Sequence, residues 1–259
     1  MLHDISFDLR AGESVALLGA SGAGKSTLLR HLNGLLRPLQ GRVHINTTDS
    51  HTFSVAELSR IVGLLFQNPL HQLFAETVEA EIGLGLHRVW PDHRERQGRI
   101  EEVLVAFDLT ALRRSHPMRL SEGQRRRVAL GAVMAPGPAV LALDEPTLGQ
   151  DVRQKSRLAT TLRHLADAGT VVVVSTHDLQ FAASCCERAL VLAHGRLLYD
   201  GPMAHLFSRE ALLRDAALLA PQSYQLRERL AAVGYPLEEI GPVDQAREIA
   251  QHVRNSEIC

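Results

Sequence analysis

The chain has 259 residues, 45% of them hydrophobic and only 4% aromatic, which fits one or two domains packed mainly by aliphatic side chains. A formal charge of −1 argues against a broad basic surface for nucleic acid. No apolar run nears the ~20 residues a membrane-crossing helix needs, and the opening MLHDISFDLRAGES has early acids and no signal-like apolar core, so any membrane component is expected in a partner chain.

Ile5, Phe7 and Leu9 alternate with polar residues, which predicts a half-buried strand. A turn at Gly12 leads into the apolar run 15–18, a glycine-rich turn, and a helix over about 25–35. Strands are expected near 41–46 and 61–66. Ile100, Val103, Leu104 and Phe107 have the i, i+3, i+4, i+7 spacing of a helix, and another helix begins after Gly123. From Ala139 the pattern is strand, helix, strand: AVLAL, then Leu158, Leu162 and Leu165 on one helical face, then TVVVVS. Continuous apolar runs separated by helices indicate a buried parallel sheet. The stretch from about 70 to 135 has little strand character and is expected to be a helical subdomain inserted in an α/β core. After Gly201-Pro202 the pattern is helical again, with Leu226, Leu230 and Val233 on one face. This divides the chain into a core domain over 1–205 and a helical C-terminal extension over 206–259. The cysteines, Cys185, Cys186 and Cys259, match no metal spacing, and so sparse a set fits a reducing compartment.

Gly19, Ala20, Ser21, Gly22, Ala23, Gly24, Lys25 and Ser26 fit GxxxxGK[ST] between an apolar strand and a helix, the context that confirms a phosphate-binding loop. Small residues let backbone N–H groups point at phosphate oxygens, and the following helix adds its positive end. Lys25 places a charge on the β- and γ-phosphates, and Ser26 offers a hydroxyl to Mg²⁺. In VLALDE, four apolar residues carry Asp144 to the edge of the sheet, where it can hold Mg²⁺. Glu145 then sits beside the γ-phosphate and can orient or deprotonate water. His177 stands just past the next strand, where it could sense the γ-phosphate, although a histidine by itself there is more often ordinary. Gln67 ends the strand near Phe66 and could reach Mg²⁺ or the attacking water, though Gln-Asn-Pro is also a good turn. Ser121, Gly123 and Gln124 open a helix and form a second anion site, or a plain N-cap. One nucleotide does not need two such sites, which suggests that Ser121 serves a nucleotide held by another copy. Arg125, Arg126 and Arg127 read as a solvated face.

In this order the motifs resemble the ATP-binding subunit of an ABC transporter, over nearly the whole chain. The resemblance implies a Walker A motif from Gly19 to Thr27, a Q-loop glutamine at Gln67, a signature from Leu120 to Gln124 and a Walker B strand ending at Asp144. It further implies a catalytic glutamate at Glu145, a D-loop aspartate at Asp151 and a switch histidine at His177. The implied fold is an α/β P-loop NTPase core with a mostly parallel sheet. To it belong a small antiparallel β subdomain, here lacking its first strand, an inserted helical subdomain and the C-terminal helical extension. FQNPLHQLF from Phe66 to Phe74, followed by ETVE, and the later LAPQSYQL are similar to the energy-coupling-factor subgroup, which imports vitamins, and its cobalt and nickel relatives. The mechanism so implied sandwiches two ATP molecules between two ATPase domains, each between one P-loop and the other domain's signature serine. The implied partners are a second ATPase subunit (a paralogue or a second copy), a transmembrane coupling subunit and a substrate-capturing membrane protein, with no nucleic acid. The implied location is the cytoplasmic face of the membrane.

Three features depart from the family pattern. Glu122 stands where the signature usually has glycine, and Leu148 and Gln150 replace the usual alanine and leucine of the D-loop. Because both changes fall on the composite interface, pairing with a different ATPase chain is expected. The resemblance implies a further strand and an adenine-stacking aromatic, roughly fifteen or more residues, before His3; either the start is truncated or adenine is held otherwise, and weak base discrimination is expected. Three other readings are a nucleotide-binding scaffold with slow hydrolysis, a soluble ABC protein acting on DNA or ribosomes, and a P-loop kinase. Near-neutral charge and the absence of a coiled coil disfavour the second, and LSEGQ with His177 disfavours the third.

Overall fold

A computed structural model of the chain describes residues 2–222 together with Tyr224 and Gln225. In chain order its elements are β1 (Ser14–Leu18), α1 (Lys25–Leu32), β2 (His44–Ile45), β3 (Thr48–Asp49), α2 (Val55–Ile61) and β4 (Val62–Leu65). There follow α3 (Val78–Gly83), α4 (His93–Ala106), α5 (Glu122–Met134), β5 (Val140–Asp144), α6 (Val152–Asp167) and β6 (Val171–Ser175). The last are α7 (Leu179–Cys185), β7 (Arg188–Ala193), β8 (Arg196–Pro202), α8 (Met203–Leu206) and α9 (Glu210–Asp215).

The main sheet runs β4-β5-β6-β1-β7-β8. All its pairings are parallel except β7 with β8. The reason lies in the sequence. Strands such as SVALL and VVVVS carry four consecutive apolar residues and are buried at every position, so they must be covered on both faces, and helical crossovers supply that cover. Strand alternation then sorts the side chains. Val15, Leu17, Val62, Ala142, Val173, Leu190 and Leu192 face a smaller core closed by Leu28 and Leu29 of α1. Ala16, Leu18, Leu65, Leu141, Leu143, Val172, Val174 and Val191 face a larger core. That larger core also takes Ile82 of α3, Leu104 of α4, Leu130 of α5, Leu162 of α6 and Phe181 of α7.

Strands β4 and β5 are neighbours, yet among the described residues the segment between them contains only helices and turns. Its apolar side chains pack onto the larger core. Leu206, Phe207, Leu213, Ala216 and Leu218 join that same core, so the described part of the C-terminal segment is packed against the sheet rather than standing apart. The face of Leu226, Leu230 and Val233 lies outside the described residues.

Three local expectations need correction. Residues 5–9 form no strand: Ile5, Phe7 and Leu9 are half-buried against the smaller core, with the expected alternation, but no neighbouring backbone pairs with them. The strand expected near 41–46 shortens to the two residues of β2, paired only with the two of β3. Helix α1 ends at Leu32, not near 35, because Asn33 caps it and Gly34 takes the left-handed conformation at φ 75° that stops a helix.

Leu104 is fully buried at the heart of the larger core. Leu104→Ala should cost about 2–5 kcal/mol of unfolding free energy in urea denaturation, because the cavity it leaves cannot fully collapse.

Candidate functional site

The site begins with the loop that joins β1 to α1. Gly19 has φ 147°, and a Cβ there would lie 2.2 Å from the Leu192 carbonyl oxygen of β7, so only glycine lets the loop pass. Helices α2 to α7 each start with a side-chain cap: Ser54, Thr77, Asp92, Ser121, Asp151 and Asp178. Helix α1 differs. Its N-cap is Gly24, with no side-chain cap and no acid in the first turn. Its first N–H groups are left for an anion, which is what a phosphate site requires.

Lys25 is the first residue of α1 and only 9% exposed. Its Nζ donates to the carbonyls of Gly19 at 2.7 Å and Ala20 at 3.0 Å, holding the side chain across the loop. Burial pushes this ammonium below its usual range, while Glu145 and Asp144 oppose the shift. A cavity of about 730 Å³ opens here. Gly19, Ala20, Ser21, Gly22, Gly24, Lys25, Ser26 and Thr27 form one side of it. Gln67, Asp144, Glu145 and His177 line the rest, with Leu148 and 217–219 at the margin. Ala23, by contrast, turns into the smaller core.

Glu145 is the centre of a short network. Its Oε2 accepts from the Thr176 hydroxyl at 3.2 Å, and its Oε1 lies 2.9 Å from Nδ1 of His177. Thr176 Oγ1 also accepts from the N–H of Asp178 at 3.0 Å. Asp178 caps α7 through Phe181 and takes Nζ of Lys155, from the first turn of α6, at 2.7 Å. Burial alone would raise the Asp178 carboxyl, but Lys155 and the Phe181 N–H hold it below its usual range. The His177 segment is thus tied to both α6 and α7.

Ser26, Gln67 and Asp144 line the same cavity and offer a hydroxyl, an amide oxygen and a carboxylate. This hard-oxygen set suits Mg²⁺. Among the described residues no group of three or more His, Cys, Asp or Glu side chains could hold a metal, so oxygens from water or a bound phosphate would complete the shell. The donors fit a metal that arrives with a nucleotide.

Ser121, Gly123, Gln124 and Asp151 do not line the cavity. Ser121 and Gln124 form a capping box, with Ser121 N–H donating to Gln124 Oε1 at 2.9 Å and Gln124 N–H to Ser121 Oγ at 3.3 Å. Asp151 caps α6 by accepting from the Gln154 N–H at 2.8 Å. The two segments meet: a Cβ on Gly123 would lie 3.0 Å from the Gly149 carbonyl.

The reading of the arginines as a solvated face is corrected at Arg126, which is 1% exposed. A usable signal was there, since Arg126, Leu130 and Met134 recur at every fourth position on the buried side of α5. Thr176 and Lys155 were also missed. Neither has any local sequence mark, because their partners are distant in the chain.

A P-loop beneath a buried acidic pair at the carboxyl edge of a parallel sheet defines a nucleotide-binding cassette. The sequence profile of the ABC transporter family matches residues 2–148. The chain belongs to that family. It is 41% identical over 222 residues to the cobalt import ATP-binding protein CbiO of Rhodobacter capsulatus, covering 85% of this chain and 79% of that protein. It is 34% identical over 253 residues to the energy-coupling factor transporter ATP-binding protein EcfA2 of Clostridium tetani, covering 95% and 88%. The solved structure of cbiO1 from Clostridium perfringens, part of the ABC transporter complex cbiONQ, superposes with a TM-score of 0.72 at 29% identity, over 88% of this chain and 92% of that one. Against a Methanosarcina acetivorans relative, 37% identical over 236 residues, 91% of this chain matches but only 38% of the relative's length.

Gly19→Ala should push the loop away from Leu192 and lower ATP affinity by at least about tenfold, the loss of one charge-assisted phosphate contact or more. A fluorescent-nucleotide titration checks it.

Proposed function

We propose that the chain is a Mg²⁺-dependent ATP-hydrolysing subunit that powers an importer of the energy-coupling-factor type, for a vitamin or a transition-metal ion. The observation that carries this reading is the meeting of the P-loop, Gln67, Asp144, Glu145 and His177 in one cavity. The named relatives support the subgroup, since they are called cobalt import and energy-coupling factor ATP-binding proteins.

In this mechanism the loop N–H groups and Lys25 hold the β- and γ-phosphates. Mg²⁺ would be held by Ser26 and Asp144, with Gln67 within reach, and supplies charge neutralisation on the phosphate oxygens. Glu145 orients the attacking water and accepts its proton, while Thr176 and His177 hold the carboxylate still. Positioning and electrostatics do most of the work in phosphoryl transfer, so the rigid support of Glu145 is itself catalytic.

Ser121 and Asp151, outside the cavity, are left to serve a nucleotide on a second ATPase subunit. A dimeric ABC cassette, MJ0796, is known with ADP and Pi bound, at a TM-score of 0.72, 28% identity, and over 78% of this chain and 90% of that one. With Glu122, Leu148 and Gln150 on that interface, the partner is a paralogous chain. No helix among the described residues is long and apolar enough to cross a membrane. A transmembrane coupling subunit and a substrate-capturing membrane protein complete the transporter, with this chain on its cytoplasmic face. Phe74, 77% exposed, and Leu70 stand on the segment that follows Gln67. Glu81 braces that segment by accepting from the N–H groups of Phe74 at 2.7 Å and Ala75 at 2.6 Å. A firm backbone with apolar side chains turned outward suits contact with the coupling subunit.

The deciding measurement is steady-state hydrolysis of Mg-ATP by the purified chain, beside Lys25→Ala and Glu145→Gln. Glu145→Gln should lower kcat by about a hundredfold or more while ATP still binds. Lys25→Ala should weaken ATP binding by at least about tenfold. Turnover surviving Glu145→Gln would sink the assignment. Sizing of the Glu145→Gln chain with ATP should show a monomer, and a stable homodimer would refute the paralogue.

A further inference from the structure

The guanidinium of Arg126 is the buried charge that the mechanism above does not use. Its Nη1 donates to the Glu145 carbonyl at 2.7 Å and its Nη2 to the Gln67 carbonyl at 2.9 Å. Glu122, one turn earlier in α5, brings its carboxylate to 3.8 Å. Burial pushes the guanidinium below its usual range, and Glu122, Glu145 and Asp144 oppose the shift. The two carbonyls belong to the ends of neighbouring strands, β4 and β5, where Leu65 pairs with Leu143. The two acceptors are met by separate nitrogens of one rigid planar fork, a spread that the single ammonium of lysine does not offer.

The Glu145 peptide needs such support. Its φ of 48° is left-handed for a residue with a side chain, and Pro146 follows it. Such conformations persist where their surroundings overdetermine them. Here the Glu145 N–H donates to Ser175 at 2.8 Å on one side, and Arg126 holds the carbonyl on the other.

We infer that Arg126 is a positioning residue that ties helix α5 to the backbones of Gln67 and Glu145 and so sets their spacing across the cavity. A shift of α5, which begins at Ser121, then moves the water-orienting carboxylate and the Gln67 loop together. Glu122, in place of the glycine usual in the family's signature, is one of three acids that offset the Arg126 charge. The kinetic part of this inference rests on the hydrolytic reading above; the structural part does not.

The test compares the full chain with Arg126→Lys and Arg126→Met. Amide hydrogen exchange is first followed without nucleotide. In both variants peptides covering 66–75 and 144–149 should exchange about tenfold faster, with those of β1 and β6 unchanged. With Mg-ATP, Arg126→Lys should lower kcat on the order of ten- to a hundredfold while KM stays within about threefold. Unchanged exchange in both segments overturns the inference. So does faster exchange throughout the chain, or an Arg126→Lys chain that does not fold, since either makes Arg126 a general folding residue. If the unaltered chain hydrolyses no ATP, the hydrolytic reading fails, and the exchange measurement still decides the tie.

Discussion

The register of the parallel strands is the constraint on which the site depends. Ser175 of β6 pairs with Leu17 of β1 on one side and Asp144 of β5 on the other, and Leu143 pairs with Leu65 of β4. Four strands therefore end at nearly the same level. Immediately beyond those ends stand Gly19, Gln67, Glu145 and His177. No side-chain contact is needed to bring them together, because backbone hydrogen bonding has already aligned the chain at these points. Ligands of open α/β sheets bind beyond the carboxyl ends of strands for this reason.

The second ordering principle is charge compensation. Lys25, Arg126, Asp144 and Glu145 are all buried. Isolated, each would be costly to bury, and each tolerates burial because the others and a set of backbone carbonyls surround it. Lys25 meets the carbonyls of Gly19 and Ala20, and Arg126 those of Gln67 and Glu145. The cations bracket the acidic pair from the loop side and the helix side. Charges held in this way interact more strongly than they would in water.

Outside this cluster the helices are arranged by simpler rules. Six of them start on a Ser, Thr or Asp cap; the apolar faces of α3 to α7 fill the larger core, while α2 sets Ile61 against the smaller one. Among the exposed apolar side chains, Phe74 is held out by a braced backbone. The face that carries Ser121 and Gly123 meets the Gly149 turn, so two segments that precede helices α5 and α6 form one continuous surface beside the cavity.

Much of this was legible in the sequence because it depends on local patterns. Continuous apolar runs marked β1, β5 and β6, and period-3.6 repeats marked α4 and α6. The glycine pattern from Gly19 to Gly24 marked the loop, since a loop that wraps an anion needs glycine where side chains would clash. The half-buried alternation of Ile5, Phe7 and Leu9 was legible too, but pairing was not, because a strand requires a neighbour and alternation does not supply one. What sequence alone determined is the apolar cores of β1, β5, β6, α4 and α6 and the chemically distinctive residues that stand just past the strand ends. Tertiary structure alone decided which carbonyls Arg126 holds, that Thr176 and His177 grip Glu145, and that Lys155 anchors Asp178. Those bonds join residues 19 to 59 positions apart, and only the closing of the sheet brings them within reach.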